Sequence, residues 1–157
     1  MIALGEVYEA NGQPNEANQQ YNLVRAMQQL NAGAGMDVDL ELALFDADHG
    51  ADPAQAVARA RASYARRPSI YGADALAWAL YQHGEYSEAW RYSQLALRLG
   101  TRDAAMHYRA AMIAIALDDR TGARLHLRQA LAINPYFSVR YAEPARQKLA
   151  ELDKDAK

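Results

Sequence analysis

Residues 84–100, GEYSEAWRYSQLALRLG, are echoed by residues 118–135, DDRTGARLHLRQALAINP. Ala89 and Ala123 lie 34 residues apart, as do Ala96 and Ala130, and Leu97 and Leu131. A fixed period of this length marks stacked supersecondary units, each burying its apolar face only against its neighbours. The alanines have a physical reason to recur. Where two helices cross, a methyl side chain lets the backbones approach to roughly 8–10 Å, and a larger residue overpacks the contact. Away from this stretch the composition agrees. The chain has 157 residues, 51% apolar and 23% charged, with 34 alanines against 12 β-branched residues. That balance favours helix and leaves little material for strands. Prolines punctuate the pattern: Pro14 and Pro53 suit first helical positions, whereas Pro68 and Pro135 fall where a helix cannot continue. The resulting helices are expected near 1–11, 14–31, 37–49, 53–66, 70–83, 86–99, 104–117 and 121–133, with a last one opened by Pro144 over 143–153.

With these residues in view, the chain resembles the tetratricopeptide repeat, a 34-residue helix-turn-helix unit, of bacterial type. Leu4, Gly5, Tyr8, Gly12, Ala17 and Tyr21 match a first unit; Ala43, Leu44, Ala47, Ala56, Ala60 and Pro68 a poorer second. Leu76, Ala77, Leu80, Gly84, Tyr86, Ala89 and Ala96 match a third, and Ala110, Ala111, Ala123, Leu127, Ala130 and Pro135 a fourth. The resemblance implies one all-α domain over 1–157, a right-handed α-α solenoid of antiparallel helix pairs. Its units span about 1–31, 37–69, 70–103 and 104–137, and the segment 138–153 is a C-terminal cap. Arg146, Gln147, Lys148, Glu151 and Asp153 give that cap the polar outer side a solenoid end requires. The first unit begins at about position 4 of its 34 and lacks such a cap, which is the expectation for a C-terminal fragment of a longer protein.

Several chemistries lack sequence support. There is no cysteine, no phosphate-binding Gly-Lys-Ser/Thr loop, no Gly-x-Gly-x-x-Gly, no Gly-x-Ser-x-Gly and no His-Glu-x-x-His. His49, His83, His107 and His126 fall in different helices or turns without metal spacing and read as satisfied or solvent-facing side chains. The acid pairs Asp46/Asp48 and Asp118/Asp119 read as turn and surface acids, and the five serines form no constellation with a histidine. No enzyme activity, cofactor or metal is expected. The longest apolar run, Ala110 to Leu117, has eight residues, against the ~20 of a membrane span, so a soluble chain is expected and its compartment stays open. A pI of 6.1 disfavours nucleic acid.

The expected activity is therefore binding or scaffolding. In the family, groove positions 2, 5, 9, 12 and 13 of each first helix line a concave surface. Carried over, these are Glu6 and Glu9; Val38, Glu41, Phe45, Asp48 and His49; Tyr71, Asp74, Trp78, Tyr81 and Gln82; and Tyr108, Met112 and Ile115. The resemblance thus makes Glu41, Phe45, Asp48, Tyr71, Asp74, Trp78, Tyr81, Tyr108 and Met112 the binding candidates. An acidic and aromatic groove suits a basic, apolar peptide or protein segment. Glu41 and Phe45, or Asp74 and Trp78, stand where chaperone-binding members have Lys and Asn, so their activity is not expected. Two alternatives remain open: Tyr71, Trp78, Tyr108 and Met112 pack together, or PYFSVRY (135–141) folds back over them. An alternative to groove binding is an assembly domain that extends a longer solenoid or self-associates through its uncapped N-terminal face. Charge is uneven, with nine acids and only Arg25 up to Asp52 (−8), then ten acids and sixteen bases (+6). Arg120, Arg124 and Arg128, and Arg91 with Arg98, read as solvated outer stripes.

Overall fold

The computed structural model describes residues 1–33, 40–50 and 52–154, with the side chains of 31–33, 40 and 41 left aside. Every regular element among the described residues is an α-helix: α1 (Ile2–Ala10), α2 (Pro14–Gly33), α3 (Leu40–His49), α4 (Pro53–Arg66), α5 (Ile70–Gln82), α6 (Tyr86–Leu97), α7 (Ala104–Ala116), α8 (Arg120–Ile133) and α9 (Ala142–Lys154). Their starts follow local chemistry. Asp52, Ser69, Asp103 and Asp119 each accept a hydrogen bond from the main-chain N–H three residues on, capping α4, α5, α7 and α8. Pro14 and Pro53 open α2 and α4, and Pro68 and Pro135 stand just beyond the ends of α4 and α8.

Helices pair as α1/α2, α3/α4, α5/α6 and α7/α8, and three residues separate the partners in each pair. A connection this short between packed helices reverses the chain. The α5/α6 and α7/α8 turns share a conformational requirement. Gly84 and Asp118 lie 34 residues apart and have φ of 87° and 60°. Glycine meets that condition without strain, and aspartate is among the few other residues that tolerate it. Asp118 is thus the turn residue expected, and its neighbour Asp119 is the α8 cap.

Helix α5 is the centre. It packs against α3, α4, α6 and α7, and all nine residues from Gly72 to Leu80 are buried. Ala77, Ala79 and Leu80 join Val57, Ala60, Ala89 and Ile113 in one core cluster, while Trp78 and Tyr108 join Ala111, Ala123, Leu127, Ala130 and Ala145 in another. The alanines at the recurring crossing, Ala17, Ala56, Ala89 and Ala123, are all buried. The first pair meets the rest through Tyr21 and Val24 of α2 against Phe45 of α3. Gly5 leaves room for the Tyr21 ring, which a β-carbon there would strike. Asp46, expected on the surface, is instead buried. It accepts from Gln28 Nε2 of α2 and Arg59 Nη1 of α4, both at 2.8 Å, and so ties three helices together. Helix α9 packs on α8, with Arg128 bonded to Asp153 at 2.8 Å. None of the described helices is long and apolar enough to cross a membrane.

Replacing Ala89 by Leu inserts three heavy atoms at a crossing with no exposed surface. The expected cost is about 1–3 kcal/mol, read as a lowered thermal midpoint. An unchanged midpoint would refute close packing at that contact.

Candidate functional site

Three helices present the candidate residues in parallel rows. The last two turns of α3 supply Phe45, Asp48 and His49, α5 supplies Tyr71, Asp74, Trp78 and Tyr81, and α7 supplies Tyr108 and Met112. Spacings of three and four keep each row on one helix face. Glu41 has its side chain outside the described set, and Val38 lies outside the described residues altogether.

The rows converge on Asp48. Its Oδ1 accepts from Trp78 Nε1 at 2.7 Å and from the Tyr141 hydroxyl at 2.5 Å. Trp78 stacks on Tyr81, with centroids 4.8 Å apart and planes 10° from parallel, and lies 6.4 Å from Tyr108. Tyr141 fills the remaining angle. It stacks on Tyr108 at 4.9 Å and meets Trp78 edge-on at 6.0 Å, and Phe137 adds a contact with Tyr108 at 5.5 Å. Met112 packs half-buried against this cluster. Both open alternatives thus hold in part: the aromatic rows pack together, and residues 137–141 cover them. Tyr71 stands apart, 53% exposed.

Asp48, also expected to be a surface acid, is half-buried and hydrogen-bonded. Asp74 is buried and engaged by Arg109, whose Nε donates to Oδ1 at 3.1 Å and whose Nη2 donates to Oδ2. Arg109 is a signal the sequence reading missed, because no groove position falls on it. Burial pushes the Asp74 carboxyl above its ordinary value against the pull of Arg109. Its charge is matched within the fold, leaving the rim acids Glu6, Glu9 and Asp48 as the acidic part of the surface.

These acids face Arg140. Its Nη1 lies 3.8 Å from Glu9 Oε2 and donates towards His49 Nε2 at 3.0 Å. His49 in turn lies tilted against the Tyr21 ring at 4.2 Å and the Phe45 ring at 5.0 Å. Burial and then Asp48 raise Glu6. Burial lowers Arg140, but Tyr141, Asp48 and Glu9 outweigh it and hold the guanidinium above its usual value. The Tyr141 phenol is raised by burial and by Asp48, and Tyr108 is pushed up to about 12, mainly by burial. Chemically, the surface holds a guanidinium, a phenol and apolar rings by charge, one shared carboxylate and stacking. Among the described residues, no group of three or more His, Cys, Asp or Glu could hold a metal ion.

A second depression lies between the turn 98–103 and α8, lined in part by Gln94, Leu97, Arg102, His107, His126 and Gln129. Tertiary structure brings His107 and His126 together there, Nδ1 to Nδ1 at 3.1 Å, although nothing in their spacing announces it. No protein-family model matches the chain, and no curated protein matches it.

His49, His107 and His126 all lie below the ordinary imidazole value, chiefly through burial, with Arg140 adding to the effect at His49 and His107 at His126. The folded chain therefore binds fewer protons on these groups than the unfolded chain. Their stabilising contribution is present above the unfolded value of about 6.5 and is lost as pH falls through it towards the lower folded values. Through these histidines the thermal midpoint should fall as pH drops from about 7.5 to 5.5, with the raised Glu6 and Asp74 acting in the opposite sense. His107→Gln/His126→Gln should flatten that slope; an equal slope in wild type and variant would exclude the pair as its source.

Proposed function

We propose that the chain is a non-catalytic interaction or scaffolding module, a right-handed solenoid of tetratricopeptide-like helix pairs that takes a peptide or protein segment on its concave face. Support for the architecture comes from the four three-residue turns, the shared positive φ at Gly84 and Asp118, and the buried alanines at one place in each pair. The binding reading rests on one observation above the others. Phe137, Arg140 and Tyr141, from a segment outside the helices, sit against Glu9, Asp48, Trp78 and Tyr108 as a bound peptide would. Large aromatic anchors with a few placed polar groups are the usual composition of such a surface.

Panning a random peptide library on the intact chain tests this. Peptides of basic and aromatic character should be selected, and Tyr71→Ala/Tyr81→Ala, at an exposed and a half-buried ring, should weaken them by about tenfold, or ~1.4 kcal/mol. Selected peptides indifferent to both rings, and sensitive instead to Arg91 or Arg98, would move the site to the convex side.

A second reading, assembly through the N-terminal face, is favoured by a separate observation. Leu4 and Val7 of α1 are 45% and 39% exposed, while the residues at their places in the later units are buried: Ala43, Leu76 and Ala110 for Leu4, and Asp46, Ala79 and Ile113 for Val7. In the third and fourth units the preceding helix, α4 or α6, packs against the first helix of the pair. Exposed leucine and valine at places otherwise covered make this end a candidate for association with another helix pair or another copy. Sedimentation should show concentration-dependent association that Leu4→Glu/Val7→Glu removes; a wild-type chain that stays monomeric at high concentration excludes self-association through this face.

A further inference from the structure

The segment between α8 and α9 is fastened to the concave face by side chains alone. Among the described residues, its main-chain bonds run within the segment or to the flanking helices. Asn134 N donates to Ala130 O, Tyr136 N to Asn134 Oδ1, Arg140 N and Tyr141 N to Ser138 Oγ, and Pro135 O accepts from Arg146 of α9. No main-chain bond joins it to α1, α3, α5 or α7. Its side chains divide by direction: Tyr136 and Val139 are exposed, whereas Phe137, Arg140 and Tyr141 make the contacts with the concave face. Such a segment can leave that face by parting side-chain contacts alone, while its end stays tethered to the first turn of α9, where Ala142 N and Ala145 N donate to Ser138 O and Tyr141 O.

Charge makes the contact selective. Glu6, Glu9 and Asp48 converge on one rim. Arg25 also reaches this region, donating to His49 O at 3.2 Å, and it bonds to Asn22 at 2.9 Å and lies over the Phe45 ring. Arg140 is the cation set between Glu9, His49 and the Tyr141 ring. The Tyr141 hydroxyl shares the Asp48 oxygen that the Trp78 indole uses, so a phenol at that point is recognised by hydrogen bond and by stacking together.

We infer that residues 137–141 are an internal ligand, and that the concave face takes a partner peptide of the same chemistry, an aromatic residue, two spacers, arginine and tyrosine, in competition with them. The inference rests on the reading of the chain as a peptide-binding module and adds to it the class of partner and a regulation of the site. While the segment is seated, the apparent affinity for a partner is lowered by the fraction of molecules that are open.

The test uses the full chain carrying Phe137→Ser/Arg140→Ser/Tyr141→Ser and a synthetic peptide of residues 134–143, NPYFSVRYAE. The variant should keep its helical circular dichroism and bind the peptide in calorimetry at least about tenfold more tightly than wild type does. Adding Glu9→Gln/Asp48→Asn should abolish that gain, as should a peptide with glutamate for its arginine and phenylalanine for its second tyrosine. A folded variant that binds the peptide no better than wild type overturns the proposal. Loss of helical structure in the variant makes the segment part of the core and also overturns it, unless the milder Arg140→Ala/Tyr141→Phe chain, which retains the rings, folds and gains affinity. Panning the opened chain separates this inference from the broader reading. Peptides of other chemistry selected by the same rings leave the binding module standing without an internal ligand, and failure to select any peptide removes both.

Discussion

The fold depends on how closely its helices approach, and alanine sets that distance. Ala17, Ala56, Ala89 and Ala123 are buried at one recurring place, where a second helix crosses the first. A methyl group there keeps the helix axes near the lower end of the packing range. On the flanks of these crossings, Leu76, Leu80 and Ile113 pack in one core cluster and Leu127 in another. Alanine contributes little buried area by itself, so the stability of the chain draws on the leucines and aromatics that these close crossings bring together. Helix α5, covered by four neighbours, is where this has gone furthest.

The acids Asp46, Asp74 and Asp48 inside this frame are engaged with partners on other elements. Asp46 joins α2, α3 and α4, Asp74 joins α5 to α7, and Asp48 joins α3 to α5 and to the segment before α9. No buried side-chain nitrogen or oxygen among the described residues lacks a hydrogen bond. A buried carboxylate with one partner removed carries an uncompensated desolvation cost. These three acids therefore act as orientation constraints: each fixes the azimuth of one helix pair relative to the next, which alanine contacts alone leave free to slide.

Asp48 connects that constraint with the function proposed for this face. Its carboxylate sits where the acidic first two helix pairs meet the aromatic third and fourth, and it accepts from both Trp78 and Tyr141. The uneven charge of the chain has a local consequence here. The acidic N-terminal part turns Glu6, Glu9 and Asp48 towards one rim, and Arg140 of the basic part comes back to meet them. The basic and apolar ligand expected for this surface has its counterpart within the chain.

Much of this was legible in the sequence. Proline positions, turn residues and the 34-residue recurrence of alanine place the helices to within a few residues, because caps and crossings are local or periodic demands. The composition of PYFSVRY, aromatic and basic opposite an acidic and aromatic groove, was the one written signal of the covered face. What covers each face was not written locally. Asp74 meets Arg109 from 35 residues away, Trp78 reaches Asp48 across 30, and Tyr141 reaches the same oxygen across 93. Helical periodicity tells which side chains share a face, and so the sequence by itself determined the helices, their turns and the chemistry of the candidate residues. Only the tertiary structure decided which of those residues are spent on one another, since that depends on how the helix pairs rotate against their neighbours and on where the chain returns after α8.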